Sequence, residues 1–139
     1  MAIDESEEAI DELLGQPLLP KERIETRVVS FENLAASGDL PEADFVNAAM
    51  SLQQCSRAKF PTFWELVCRK LRVGGFFAGN LMGTHDPWAE HSNVFTGEEA
   101  AHLFAGFEVL AWNEREFEAP TMDDKEKHWH LFDIVARKR

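Results

Sequence analysis

A helix that runs straight into an apolar strand through two adjacent glycines constrains this chain more than any other feature. Phe60, Phe63, Trp64, Val67, Cys68 and Leu71 recur at helical spacing. Arg72-Val73-Gly74-Gly75 follows, and then the apolar run Phe76-Phe77-Ala78-Gly79-Asn80-Leu81-Met82. Paired glycines can take positive φ and let a helix end turn directly into a sheet. A helix, a Gly-Gly turn and a buried strand in that order point to a layered α/β protein.

The neighbouring segments extend the pattern. Met1-Ala2-Ile3 is a short apolar stub ending in Asp4, and a helix is expected over Ser6–Leu14 with Ala9, Ile10, Leu13 and Leu14 on one face. Asp4 and Glu7 stand at the spacing of an N-cap and its reciprocal acid, and Gly15 with Pro17 ends the helix. Arg23–Phe31 and Asp44–Met50 read as strands, with a short helix or loop over Asn33–Gly38 between them. Thr96-Gly97-Glu98-Glu99 is a capping box for a helix through Phe104. Phe107–Phe117 and His128–Ala136 are two long strands joined by a turn-rich loop, expected to pair antiparallel. Alternating β and α elements imply a mostly parallel sheet with helices on both faces and an antiparallel hairpin at one edge.

At 139 residues the chain holds at most one domain, and 45% hydrophobic residues suffice for a packed core. Its 25 acids outnumber 14 lysines and arginines, for a net charge of −11, which argues against nucleic acid as a partner. Asp4, Glu5, Glu7, Glu8, Asp11 and Glu12 read as a solvated helix face, and Arg137-Lys138-Arg139 as a solvated tail. Cys55 and Cys68 form no zinc or disulfide pattern, which suits a reducing cytoplasmic setting. No apolar run reaches the roughly 18 residues of a membrane span, and no signal peptide is visible, so no membrane partner is expected.

The order and motifs resemble the C-terminal three quarters of a class I S-adenosylmethionine-dependent methyltransferase. Ala2-Ile3-Asp4 resembles the end of the family's second strand, and Val28-Val29-Ser30-Phe31-Glu32-Asn33-Leu34 the end of its third. Ala43-Asp44-Phe45-Val46-Asn47-Ala48 resembles the fourth strand. Leu71-Arg72-Val73-Gly74-Gly75-Phe76-Phe77 is similar to the Leu-x-Pro-Gly-Gly-x-aromatic lead-in to the fifth, with Val73 in place of proline. Lys127–Lys138 resembles the last strand of small bacterial members. The resemblance implies one Rossmann-like methyltransferase domain over residues 1–139 with S-adenosylmethionine as cofactor, and the negative net charge favours a small molecule or a protein side chain over nucleic acid as methyl acceptor.

One part of the family pattern has no counterpart. The first strand and its glycine-rich G-x-G turn, which bring backbone close to the cofactor, have no match, and no G-x-G occurs in the chain. That strand lies between the second and fourth, so its neighbours are expected to leave backbone unpaired in mid-sheet, at about 1–3 kcal/mol for each buried orphan group. The chain is therefore expected to be a fragment, or a gene model with its start placed too late, with impaired activity. A non-catalytic remnant, or an interaction module completed by a partner strand, is the alternative, and an uncovered strand edge would favour self-association.

The resemblance also assigns roles. Asp4 would accept the ribose hydroxyls, Ser30 would stand where the family often has an acid for the adenine amino group, Phe31 would pack against the adenine, and Asn47 would face the methionine moiety. After the fifth strand, Gly83-Thr84-His85-Asp86-Pro87-Trp88 carries polar groups at the strands' carboxyl ends, the binding side of open α/β sheets. His85 is the candidate general base, and Trp88 the candidate platform for an aromatic or cationic substrate. His128 and His130 share a strand face, but with no third ligand in view they read as packed edge-strand residues and no metal is expected. Trp112 and Trp129 are expected as a cross-strand pair, and Glu114, Glu116 and Glu118 as a solvated face.

Overall fold

The computed structural model describes residues 1–139. Strand β1 (Ala2–Asp4) leads into helix α1 (Glu7–Gly15), and β2 (Thr26–Val28) returns parallel to β1 with Asp4 opposite Val28. Helix α2 (Phe31–Ser37) ends on Gly38, whose φ of 66° closes it in a left-handed cap. Next come β3 (Ala43–Ala48), α3 (Phe60–Lys70) and β4 (Leu71–Gly83). A two-residue strand β5 (Val94–Phe95) precedes α4 (Gly97–Leu103). The long strands β6 (Phe107–Pro120) and β7 (Glu126–Lys138) complete the chain.

The main sheet runs β3-β4-β7-β6, with β5 parallel to the end of β4. β3 and β4 are parallel, whereas β7 lies antiparallel between β4 and β6. β1 and β2 form a separate two-stranded sheet. β1 pairs only with β2, and β3 only with β4, so the edges of β1 and β3 carry no ladder. Between them lies an apolar slot of about 570 Å³, lined by Ala2, Ile3, Phe45, Val46, Leu34 and Phe77 among others. The expected interruption of the sheet thus falls between the elements carrying Asp4 and Asn47. Phe45, an apolar side chain of β3 that lines this slot, is 58% exposed.

The helix-to-strand junction forms as expected, but its glycines do different work. Lys70 ends the helix and Leu71 is already extended, at φ −73° and ψ 124°. Pairing jumps from Ala43 opposite Leu71 to Phe45 opposite Phe76, so residues 72–75 bulge out. Only Gly74 uses positive φ, at 83°; a Cβ on Gly75 would instead meet the carbonyl oxygens of Arg72 and Asp44 at 2.9 Å. Lys138 Nζ bonds the carbonyls of Cys68 and Leu71 at 2.6 and 2.7 Å, so this residue of the expected solvated tail closes the end of α3.

The core gathers around Trp64 of α3, which contacts Phe77, Phe104 and Phe107 at centroid distances of 5.3, 5.1 and 6.3 Å. Its indole N–H donates to the Leu103 carbonyl at 3.2 Å, so the ring is buried without an orphaned donor. α3 and the end of α4 are thereby fixed on one face of β4.

Other expectations change at element ends. Ser6, not Asp4, caps α1 by accepting the Ala9 N–H at 3.2 Å, while Asp4 accepts the N–H of Ser6 at 2.9 Å. Ser30 and Phe31 are not strand residues: Ser30 is the N-cap of α2, accepting from Asn33, and Phe31 opens the helix. Thr96 and Glu99 make the expected capping box. Trp112 faces Ile134 and Trp129 faces Phe117, so the two tryptophans do not pair.

Candidate functional site

β1 and β2 end side by side, and this brings Asp4 next to the start of α2. A cavity of about 260 Å³ opens there, lined by Ile3, Asp4, Glu5, Val29, Ser30, Phe31, Glu32, Met50, Ser51 and Gln54. Three residues assigned to the cofactor by resemblance, Asp4, Ser30 and Phe31, meet in it. Asn47 lines the adjoining slot, which shares Ile3, Asp4 and Ser51 with the cavity. Asn47 is exposed, so this polar residue of an otherwise apolar strand needs no buried hydrogen-bond partner.

The groups here are partly committed. Asp4 Oδ1 accepts from Ser6, leaving the other oxygen free. Ser30 Oγ accepts from Asn33, leaving its hydroxyl proton to donate outward. The Phe31 ring packs on Phe63 with centroids 4.7 Å apart and lines the cavity. Glu32 Oε1 accepts the N–H of Ser56 at 2.9 Å, which holds its carboxyl below the usual range and ties the loop after β3 to α2.

Met50 forms the other wall. It has φ +52°, uncommon for a residue with a side chain, and its N–H donates to Asn80 Oδ1 at 2.7 Å. Asn80 Nδ2 in turn donates to Asp133 Oδ1 at 2.8 Å, and Arg115 Nε to Asp133 Oδ2 at 2.5 Å. Burial pushes the Asp133 carboxyl up, but the bonds from Arg115 and Asn80 outweigh it and leave the group below its ordinary range. A polar chain thus crosses the sheet from β6 to the cavity wall.

His85 and Trp88 lie outside this cavity, beyond the end of β4. His85 Nδ1 is 3.0 Å from Glu116 Oε1, and its ring stacks on His130 at 4.8 Å. Trp88 is 39% exposed and meets Trp129 edge-on at 5.5 Å. The Lys127 ammonium lies 4.4 Å from the Trp88 ring centroid and 3.6 Å from that of Trp129, so this platform already carries a cation of its own.

Glu114, Glu116 and Glu118 are exposed, as a solvated face should be, and each also pairs with a histidine. Glu118 and Glu116 bond His128 at 2.6 and 2.9 Å and raise its pKa, and Glu114 bonds His130 Nε2 at 3.0 Å. β4 flanks β7 only as far as Leu131, so His128 and His130 lie where β7 pairs with β6 alone, as edge-strand residues. His85, Glu116 and His130 each offer a ligand atom within 4.8 Å of the others, a grouping the sequence reading missed because the third member comes from the loop after β4. The hairpin held a usable signal: a turn centred near Asp123 sets Glu118 opposite His128 and Glu116 opposite His130.

No protein-family model matches the chain, and no curated protein matches it by sequence. Solved structures do match it. TehB from Haemophilus influenzae superposes with a TM-score of 0.78 at 18% identity, over 99% of this chain and 49% of that one. A SAM-dependent methyltransferase from Methanosarcina mazei gives 0.68 at 19% identity, over 98% and 80%. The N-methyltransferase NodS from Bradyrhizobium japonicum, in complex with S-adenosyl-l-homocysteine, gives 0.64 at 11% identity, over 98% and 64%. This chain has the class I methyltransferase-like fold, Rossmann-like and mixed in strand direction. It spans about half the length of the TehB chain.

Proposed function

We propose that this chain takes part in S-adenosylmethionine-dependent methyl transfer to a small molecule. The observation that carries the reading is the cavity at the ends of β1 and β2, where Asp4, Ser30 and Phe31 converge in a fold shared with SAM-dependent methyltransferases. The residues fit the cofactor: a carboxylate oxygen is free for ribose hydroxyls, a hydroxyl can donate, and an aromatic face borders the cavity. When bound, S-adenosylmethionine supplies a methyl group already activated by its sulfonium.

Asp4 would bind the ribose, Ser30 and Phe31 would hold the adenine, and Asn47 would hold the methionine moiety. The protein's work is then alignment of nucleophile, methyl and sulfur, with no covalent enzyme intermediate. His85, oriented by Glu116, takes the proton of the acceptor's nucleophile. Trp88 with Trp129 borders the acceptor. The negative net charge favours a small molecule over nucleic acid. No helix is long and apolar enough to cross a membrane, and the free Cys55 and Cys68 suit a reducing cytoplasm.

The slot between β1 and β3 supports a second reading. Two unpaired strand edges flanking an apolar groove suit an added extended segment, so the chain would act as an interaction module, or associate with itself, and methyl transfer would stay weak while the slot is open. Titration with S-adenosylhomocysteine separates the readings. The first expects saturable binding, weakened about tenfold or more in Asp4→Ala, as loss of a charged hydrogen-bond acceptor implies. Absence of binding by a cooperatively folded chain would leave the second, and unchanged affinity in Asp4→Ala would remove Asp4 from the site.

A further inference from the structure

We propose that His85, Glu116 and His130 form a binding site for one divalent transition-metal ion at the rim of the sheet. The three come from separate elements: the loop after β4, β6 and β7. Their ligand atoms nonetheless gather within 4.8 Å of one another. Two imidazoles and a carboxylate are ligands for zinc, cobalt, nickel or iron(II), whereas magnesium and calcium favour all-oxygen sets.

His130 is fixed in place, with both ring nitrogens in hydrogen bonds. Its side chain is 3% exposed, and it sits against Gly83, where a Cβ would fall 2.2 Å from its Nδ1. Its Nδ1 accepts the backbone N–H of His85 at 3.1 Å, so the ring proton is on Nε2 and points to Glu114 Oε1 at 3.0 Å. A carboxylate on one imidazole nitrogen leaves the other as the lone-pair donor, the arrangement that orients histidines bound to metals. Metal capture exchanges the bond from the His85 N–H for a coordinate bond at Nδ1.

His85 and Glu116 are the accessible members. Their contact at 3.0 Å opens to admit the ion, so His85 serves as a proton acceptor only in the metal-free chain, while the second Glu116 oxygen stays on His128 Nε2 at 2.9 Å. Glu118 beyond His128 adds negative charge that attracts a cation. Three protein ligands leave coordination positions open to a donor atom from solvent or a small molecule.

The test uses the full chain, stripped with EDTA and dialysed, then titrated with zinc chloride in a calorimeter and with cobalt(II) in a spectrophotometer. One zinc per chain is expected, with cobalt(II) ligand-field bands. His85→Ala and Glu116→Gln alter exposed side chains, so circular dichroism should be unchanged while affinity falls about tenfold or more. His91→Ala, outside the cluster, should bind as the parent does. Absence of saturable binding overturns the proposal, as does unchanged affinity in both site variants or loss of binding in His91→Ala.

Discussion

Lys127 Nζ stands 2.5 Å from Asp86 Oδ2, with 4% and 0% of the two side chains exposed. The carboxylate also accepts the N–H groups of Trp88 at 2.9 Å and His130 at 3.4 Å, so its cost of burial is met by several donors. The ammonium is held between the rings of Trp88 and Trp129. One ion pair therefore fastens the loop after β4 to the start of β7, and with it both His85 and His130.

Lys127→Met should destabilise the protein by about 3–5 kcal/mol, because it leaves the Asp86 carboxylate buried without its cation. The double variant Asp86→Leu with Lys127→Met should recover part of that loss. Chemical denaturation of the three proteins measures it. A cost near zero for the single variant would show that Asp86 is satisfied by backbone donors alone.

Gly83→Ala should be among the most damaging small substitutions. Its Cβ would meet three atoms of the buried His130 ring at 2.2–2.3 Å. Overpacking of this kind costs about 1–3 kcal/mol. Gly106→Ala, where a Cβ meets nothing within 4 Å, is the control expected to melt near the parent temperature.

The elements with strong local signals were legible in the sequence. The Thr96–Glu99 capping box and the terminal hairpin depend on contacts within a few residues or on a single turn, and the Gly74-Gly75 junction is marked by its glycines although β3 and Lys138 shape it. The two-residue β5 and the shortening of the second strand to Thr26–Val28 were not legible, because long-range pairing decides both. Ser30 shows the conflict directly: its alternating pattern reads as strand, but a serine followed by Phe-Glu-Asn-Leu-Ala-Ala caps a helix equally well.

The site divided the same way. Family resemblance placed Asp4, Ser30 and Phe31, and the fold brings them to one cavity. Nothing in the spacing of Asp86 and Lys127, or of His85 and His130, announces a contact, since each pair lies more than forty positions apart. Only the register of β7 beside β4 joins them.

Acid should weaken the start of α4. Hydrogen bonds from the Thr96 backbone and side chain hold the Glu99 carboxyl below its ordinary range. A lowered folded pKa means the stability it adds is fully present above the unfolded carboxylate range and lost as pH falls through the folded value. Glu99→Gln should therefore melt below the parent at neutral pH, and the difference should shrink below about pH 4 as the parent's own carboxyl takes a proton. Melting curves at pH 7 and pH 3 check this; a gap of constant size would mean that the charge of Glu99 contributes nothing.

Asn80 carries the last prediction, because it links stability to the cavity. Its amide bridges the Met50 turn and Asp133, accepting from one and donating to the other. Asn80→Leu removes both bonds, leaves the Met50 N–H without its acceptor at a residue held at φ +52°, and leaves Asp133 with Arg115 alone. The expected cost is about 1–3 kcal/mol. Met50, Ser51 and Gln54 line the cavity, so the relaxed turn should also weaken S-adenosylhomocysteine binding severalfold, although Asn80 itself does not line the cavity. Asn80→Asp keeps the acceptor for Met50 but sets a second carboxylate against Asp133. It should lose stability while keeping more of the affinity than Asn80→Leu. Equal affinities in the two variants would show that the turn at Met50 holds its shape without the bond.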